Sequence, residues 1–252
     1  MQNSSLVHNA SVHAPLVEGK LVRRYKRFLA DVVLSNGELI TVHCPNTGSM
    51  KNCVEEGAQV WLSHSENPSR KYAYTWELIK TSRNHFIGIN TGKANSLVKN
   101  AILENRIPEV SGYTEIKPEK KYGVENSRID LFLSGHVKEP DCYLEVKSVT
   151  LLESPISHGL GYFPDSISAR GSKHLRELMQ VVQQGYRAVL FYCVQHSGIR
   201  EVRTAAHIDP VYAETLSLAV AAGVEVLAYK VSFRGKNPAI RQQIPFTLVK
   251  ND

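Results

Sequence analysis

The stretch Tyr143-Leu144-Glu145-Val146-Lys147 holds the residue types best suited to chemistry. Successive side chains on a strand point to opposite faces, so Glu145 and Lys147 project together while Leu144 and Val146 project the other way. A carboxylate and an ammonium are then held side by side on a rigid element. Asp130 lies 15 residues upstream, between Ile129 and Leu131 in a run that predicts a second strand. If the two strands pair, Asp130 and Glu145 converge on one cation. Two carboxylates brought together repel unless a cation or a proton intervenes. A few oxygen ligands with water completing the shell suit Mg²⁺, with Mn²⁺ as an alternative. Such an ion lowers the pKa of a bound water and neutralises charge on a phosphate in flight. Lys147 would orient the attacking water or stabilise the developing negative charge.

An E-x-K triplet alone is common on a solvated strand face, where an ion pair contributes little. Three features raise its weight here. Asp130 is one. Glu104 is another, because it follows Leu97, Val98, Ala101 and Ile102 at the edge of an apolar helical stripe, where a carboxylate is costly unless paired. The third is a downstream helix carrying Lys173, His174 and Gln180.

These residues must be positioned by two kinds of structure. Residues 16–82 read as short strands, among them Phe28 to Leu34, Leu39 to Cys44, Gln59 to His64 and Tyr74 to Ile79. Turn signals such as Ser35-Asn36-Gly37 and Pro45-Asn46-Thr47-Gly48 separate them. About five strands in this span fit a small barrel of the OB type. From about residue 94 the period lengthens: Asn95 to Arg106 predicts a helix, Ile129 to Leu133 and Cys142 to Val149 strands, and Lys173 to Gly185 a helix. Ala188 to Val194 predicts a buried strand, Asp209-Pro210 opens a helix that ends at Gly223, and Val224 to Phe233 predicts a last strand. Such alternation implies an α/β (α+β) domain, a mixed sheet flanked by helices. The expected divisions are a flexible leader over residues 1–15, an OB-like β-barrel over 16–84 and the mixed domain over 85–252.

The chain has 252 residues, a formal net charge of +6 and a pI near 9.1, a balance that favours anionic partners and nucleic acid among them. The charge is clustered. Arg23, Arg24, Lys26 and Arg27 form one group, and Arg170, Lys173, His174 and Arg176 another. In the functional reading these contact phosphates, with Gln180 beside them and Tyr25 or Phe28 stacking on bases; in the other reading Arg23 to Arg27 is a solvated surface run. The loop His43-Cys44-Pro45-Asn46-Thr47-Gly48 fits a tight connection, whose backbone N–H groups near Gly48 could hold a phosphate. Gly159 to Asp165 has no nucleotide-loop pattern and suits a mobile loop beside the site. Cys44, Cys53, Cys142 and Cys193 show no metal-ligand spacing and read as reduced core thiols. No run approaches the roughly 20 apolar residues of a membrane span, and Met1 to Ala14 lacks the build of a signal peptide. The expectation is a cytoplasmic protein with DNA as partner, no membrane, and a homodimer left open.

The order helix-Glu, strand-Asp, E-x-K, helix resembles the PD-(D/E)xK, restriction-endonuclease-like superfamily. Longer stretches resemble one family, SfsA, the sugar fermentation stimulation proteins. They are Arg24-Tyr25-Lys26-Arg27-Phe28-Leu29-Ala30-Asp31-Val32, His43-Cys44-Pro45-Asn46-Thr47-Gly48-Ser49-Met50, Tyr74-Thr75-Trp76-Glu77-Leu78, Ser127-Arg128-Ile129-Asp130, Leu144-Glu145-Val146-Lys147 and Arg170-Gly171-Ser172-Lys173-His174-Leu175. The resemblance spans about residues 16 to 233. It implies an OB-like domain followed by a nuclease-like domain, sequence-nonspecific DNA binding, and a regulatory link to sugar (maltose) metabolism. It also implies roles: Glu104, Asp130 and Glu145 as metal ligands, and Lys147 as the catalytic lysine. Ile129 stands where the superfamily name places proline. Two function classes follow: a Mg²⁺-dependent DNA nuclease, or a non-catalytic DNA-binding regulator that keeps the nuclease fold.

Overall fold

In a computed structural model, the chain is described over residues 15–123, 127–234 and 238–249; Met1 to Ala14, expected as a leader, lies outside them. The first six strands are β1 (Val17–Tyr25), β2 (Leu29–Leu34), β3 (Leu39–His43), β4 (Gln59–His64), β5 (Tyr74–Lys80) and β6 (Phe86–Gly88). They are ordered β3-β2-β1-β4-β5-β6, and a β3–β5 pairing closes the first five into an OB barrel. The Asn36-Gly37 signal does what the sequence predicts: Gly37 takes φ +84°, and Asn36 Oδ1 accepts from the Glu38 N–H at 3.0 Å. Leu21, Val32, Val42, Val60, Leu62, Trp76 and Ile79 fill the barrel. β1 carries the basic cluster, and that charge hides its strand character in the sequence. β6 adds to β5, so the barrel sheet runs past residue 84, where the sequence placed the division.

The rest of the chain contributes α1 (Ala94–Leu103), β7 (Glu115–Tyr122), β8 (Ser127–Ser134), β9 (Cys142–Val149), β10 (Leu151–Leu152) and β11 (Leu160–Phe163). After them come α2 (Ala169–Gln183), β12 (Arg187–Val194), β13 (Glu201–Thr204), α3 (Pro210–Ala221), β14 (Glu225–Ser232), β15 (Ala239–Gln243) and β16 (Phe246–Thr247). Asp209 caps α3 by accepting the Tyr212 N–H at 2.9 Å, as the Asp-Pro signal predicts. The main sheet is β15-β14-β12-β9-β8-β7, with β12 parallel to β9 and β14 and the other pairings antiparallel. A smaller sheet is β10-β11-β13-β16. Residues of α1 pack on one face of the main sheet, and residues of α2 and α3 on the other. The two layers explain why β12 is almost wholly buried and reads as a continuous apolar run, and why most of β9 is buried too.

All four cysteines are buried and unbonded to one another. Burial pushes the Cys53, Cys142 and Cys193 thiols up to about 12, which leaves them protonated and inert. Among the described residues no helix is long and apolar enough to cross a membrane.

Backbone bonds stitch the barrel to the second domain. Gly88 N–H donates to the Gln195 carbonyl at 2.8 Å, and Ser197 N–H to the Phe86 carbonyl at 2.9 Å. Asn52 Nδ2 donates to the Leu152 carbonyl at 3.0 Å. Buried Glu77 on β5 accepts from Ser63, Asn90 and Lys93, which fixes the segment that leads into α1.

Candidate active site

Glu145 stands at the middle of β9 and is only 1% exposed. Burying an ionised carboxylate carries a large desolvation penalty unless partners offset it, and partners are present. Lys147, two residues on along the same face, donates from Nζ to Glu145 Oε1 at 2.6 Å. His174 of α2 bonds the same oxygen through Nδ1. Arg170, one helical turn earlier, donates from Nε to His174 Nε2 at 3.3 Å. Burial pushes Glu145 up, but the hydrogen bonds and charges of His174 and Lys147 outweigh it and hold the carboxyl below its ordinary range. The other oxygen, Oε2, is buried with no hydrogen-bond partner.

Asp130 lies on β8, beside β9. The β8–β9 ladder pairs Leu133 with Cys142, Phe132 with Tyr143 and Leu131 with Leu144, and stops there. Asp130 and Glu145 therefore come at the point where the strands part. Asp130 Oδ2 accepts the Val146 N–H at 2.7 Å, and Oδ1 accepts from Asn95 Nδ2 at 2.7 Å. Burial and the neighbouring Glu145 carboxylate push Asp130 up to about 6. On β7, Glu119 adopts φ +54° at the position that would pair with Asp130.

A cleft of about 280 Å³ opens beside this group and is reached by Lys147, while Asp130 and Glu145 lie behind its lining. Lys147, Val146 and Asn95 line one side, Asn46 and Gly48 of the barrel another, and Tyr162 and Asp165 a third. The barrel loop is rigidly held. Arg24 Nη2 donates to the carbonyls of Arg27, Asn46 and Gly48 at 2.8, 3.0 and 3.0 Å. Gly48 N–H donates to Asn46 Oδ1 at 2.9 Å, so the loop uses internally the N–H the sequence offered to a phosphate. Asp165 reaches the loop by accepting from Ser49 Oγ at 3.2 Å.

Asp130, Glu145 and Lys147 are thus gathered as their spacing predicts, but Glu104 is not with them. It caps the C-terminal end of α1, half exposed, and pairs with Arg106 at 2.6 Å. Asn95 sits at the other end, about 13 Å away at 1.5 Å per residue. The stripe argument located Glu104 around the helix but not along it. Asn95, an uncharged residue, takes the helix position facing Asp130, and nothing in its sequence signal marks it.

The basic residues divide. Arg23 pairs with the buried Asp31 at 2.9 Å while its own side chain stays 65% exposed. Lys26 and Arg27 project from an exposed turn at φ +49° and +63°. Arg24 is a correction: its guanidinium is committed to backbone carbonyls, not open to phosphate. His174 is another, since it is buried on Glu145 and not a surface contact. Arg170 is exposed and Lys173 half-buried on α2. Gln180 is carried about 9 Å past His174 along the helix axis. The Gly159 to Asp165 segment does border the cleft, but as the paired strand β11 and the residues after it, not as a mobile loop.

Residues 22–89 match the SfsA N-terminal OB domain, and residues 92–237 the sugar fermentation stimulation protein RE domain. The chain belongs to the SfsA family. SfsA homologues of high identity include the sugar fermentation stimulation protein homologue of Pseudoalteromonas atlantica, 56% identical over 91% of this chain and 96% of the relative. That of Shewanella baltica strain OS195 is 60% identical over 86% of this chain and 90% of the relative. The fold matches the solved structure of Pyrococcus furiosus SfsA in complex with Ca²⁺, with a TM-score of 0.81, 23% identity, and coverage of 93% of this chain and 96% of that one. The SfsA architecture of OB barrel and mixed sheet is therefore the architecture of this chain.

Proposed function

We propose that the protein binds DNA without sequence preference and hydrolyses phosphodiesters at Asp130, Glu145 and Lys147 with a divalent cation. The observation that carries the reading is a pair of buried carboxylates, placed where two strands part, with a lysine beside them at the floor of a cleft. The residues fit a cation. Glu145 Oε2 is a buried oxygen without a partner, and Asp130 is raised by repulsion that a positive ion would relieve. Among the described residues no three His, Cys, Asp or Glu close a cage, so an ion held by Asp130 and Glu145 would draw the rest of its shell from water and phosphate, as Mg²⁺ does. The Ca²⁺ bound by the Pyrococcus furiosus protein is a cation of the same oxygen-seeking kind. Bound here, the ion would supply an activated water and neutralise phosphate charge.

The chain's own residues do the positioning. Asn95 and the Val146 N–H fix the two oxygens of Asp130. His174, oriented by Arg170, holds one oxygen of Glu145 and leaves the other available. Lys147 keeps an ammonium at the cleft, where it stabilises charge developing on the phosphate. Arg23, Lys26 and Arg27 supply exposed cations for the DNA backbone.

A second reading is a non-catalytic DNA-binding regulator linked to sugar metabolism. It is favoured by the relatives' name and by Asp130, whose two oxygens already have protein donors. Incubating the protein with single-stranded, duplex and branched DNA in Mg²⁺, Mn²⁺, Ca²⁺ or EDTA separates the two. Cleavage in Mg²⁺ or Mn²⁺, abolished by EDTA, supports the enzyme. Tight binding with no cleavage of any form supports the regulator.

A further inference from the structure

A second cavity, sharing no residue with the cleft, lies on the seam between the domains. It measures about 460 Å³ and is lined by Arg83, His85, Ile156, Ser197, Gly198 and Arg200. Its walls are firmly built. Arg83 sits in a tight turn closed by Thr81 N–H to the His85 carbonyl and Asn84 N–H to the Thr81 carbonyl, both at 2.9 Å. Phe86 N–H donates to Ser197 Oγ at 2.9 Å and ties that turn to the loop between β12 and β13. The His85 ring packs on Gly198, where a β-carbon would come within 2.7 Å of it, and meets the buried His196 ring edge-on at 5.2 Å.

The charge of this cavity is one-sided. Burial pushes His85 down, and Arg83, Lys230 and Arg200 each push it the same way. Lys230 is itself pushed down by burial and by Arg200, and no acid acts on either group. Among the described residues Arg83, Arg200 and Lys230 enter no ion pair. Like charges gathered in a concavity destabilise the protein that carries them, unless an anion neutralises them.

We propose that this seam cavity binds the phosphate group of a small phosphorylated molecule, with Arg83 and Arg200 as its clamp and Lys230 behind them adding to the positive field. Two guanidinium forks suit the several acceptor oxygens of a tetrahedral dianion. The volume matches that of a small-molecule site, and two guanidinium groups facing one concavity are enough for a single phosphate. Because its walls come from both domains, an occupant would also brace the seam.

The test is calorimetry and thermal unfolding with inorganic phosphate, AMP and a short single-stranded oligonucleotide, at ionic strength matched with chloride. Phosphate and AMP are expected to bind, to raise the unfolding temperature and to be displaced by sulfate. Arg83→Gln/Arg200→Gln should weaken AMP by about tenfold or more, since it removes both charged donors to the phosphate. Both arginines are exposed, and an unchanged circular dichroism spectrum confirms that the double variant folds. No binding by the wild type, equal AMP affinity in the double variant, or dependence on the two arginines for the oligonucleotide alone would each overturn the proposal.

Discussion

Asp130 accepts the Val146 N–H at 2.7 Å across a gap where the β8–β9 ladder has already ended. The bond holds a carboxylate beside Glu145 that burial and repulsion push up to about 6, against an unfolded value near 3.9. A raised folded pKa gives stability that is fully present below the unfolded value and lost as pH rises through about 6. At pH 8 in EDTA the ionised group therefore costs on the order of 3 kcal/mol. Asp130→Asn keeps an acceptor for Val146 and removes the charge. Its unfolding temperature in EDTA should equal or exceed that of the wild type at pH 8, and the difference should vanish by about pH 4. Lower stability of the variant at pH 8 would contradict the assignment.

Within the basic cluster, stability and binding should separate. Arg24→Ala removes a guanidinium bonded to three carbonyls and should cost about 2–3 kcal/mol. Lys26→Ala and Arg27→Ala lie on an exposed turn and should change stability by less than about 0.5 kcal/mol. The Lys26→Ala/Arg27→Ala pair should instead flatten the fall of log DNA affinity with log salt, because fewer counterions are released. Chemical denaturation and salt-dependent binding measure the two effects. An Arg24→Ala protein as stable as the wild type would refute its structural role.

Gly48 approaches Asp165 so closely that a β-carbon would lie 2.5 Å from Asp165 Oδ2 and 3.1 Å from Asn46 Oδ1. Gly48→Ala should push the barrel loop off the second domain and lower cleavage more than it lowers stability. Adding Asp165→Ala makes room for the methyl, so the double variant should recover activity over Gly48→Ala. An additive double variant would show that the two sites do not act through this contact.

His196 tests the seam by pH. Burial, with His85 and Lys230 nearby, pushes it down to about 3. A lowered folded pKa gives stability that is present above the unfolded value near 6.5 and lost as pH falls from there toward 3, on the order of 5 kcal/mol in all. His196→Gln should lower stability at pH 8, where it loses the bond from the Gly198 N–H at 3.0 Å, yet flatten the decline below pH 6. Parallel curves for the two proteins between pH 7 and 4 would remove His196 from the acid response.

The sequence made the alternating chemistry of β9 legible, because a strand of period two shows which side chains share a face. It also showed Asp130 and the turn-punctuated barrel. Glu104 misled because amphipathicity locates a residue around a helix and not along it. Asn95 and Asp165 went unmarked as site residues because their contacts span 35 residues to Asp130 and 115 to Met50, separations no local pattern encodes. Arg24 looked like a phosphate contact because composition cannot distinguish a guanidinium facing solvent from one bonded to a loop. β1 was hidden by the same charges.

The account stands most directly on one comparison: cleavage of a labelled oligonucleotide by wild-type protein, Asp130→Asn and Lys147→Met, each with Mg²⁺ and with EDTA, alongside DNA affinity. The wild type should cleave only with the cation. Both variants should lose about a hundredfold or more of the rate, as removal of one transition-state group does, while binding DNA within a few-fold of the wild type. Cleavage that persists in EDTA or in Asp130→Asn would contradict the site.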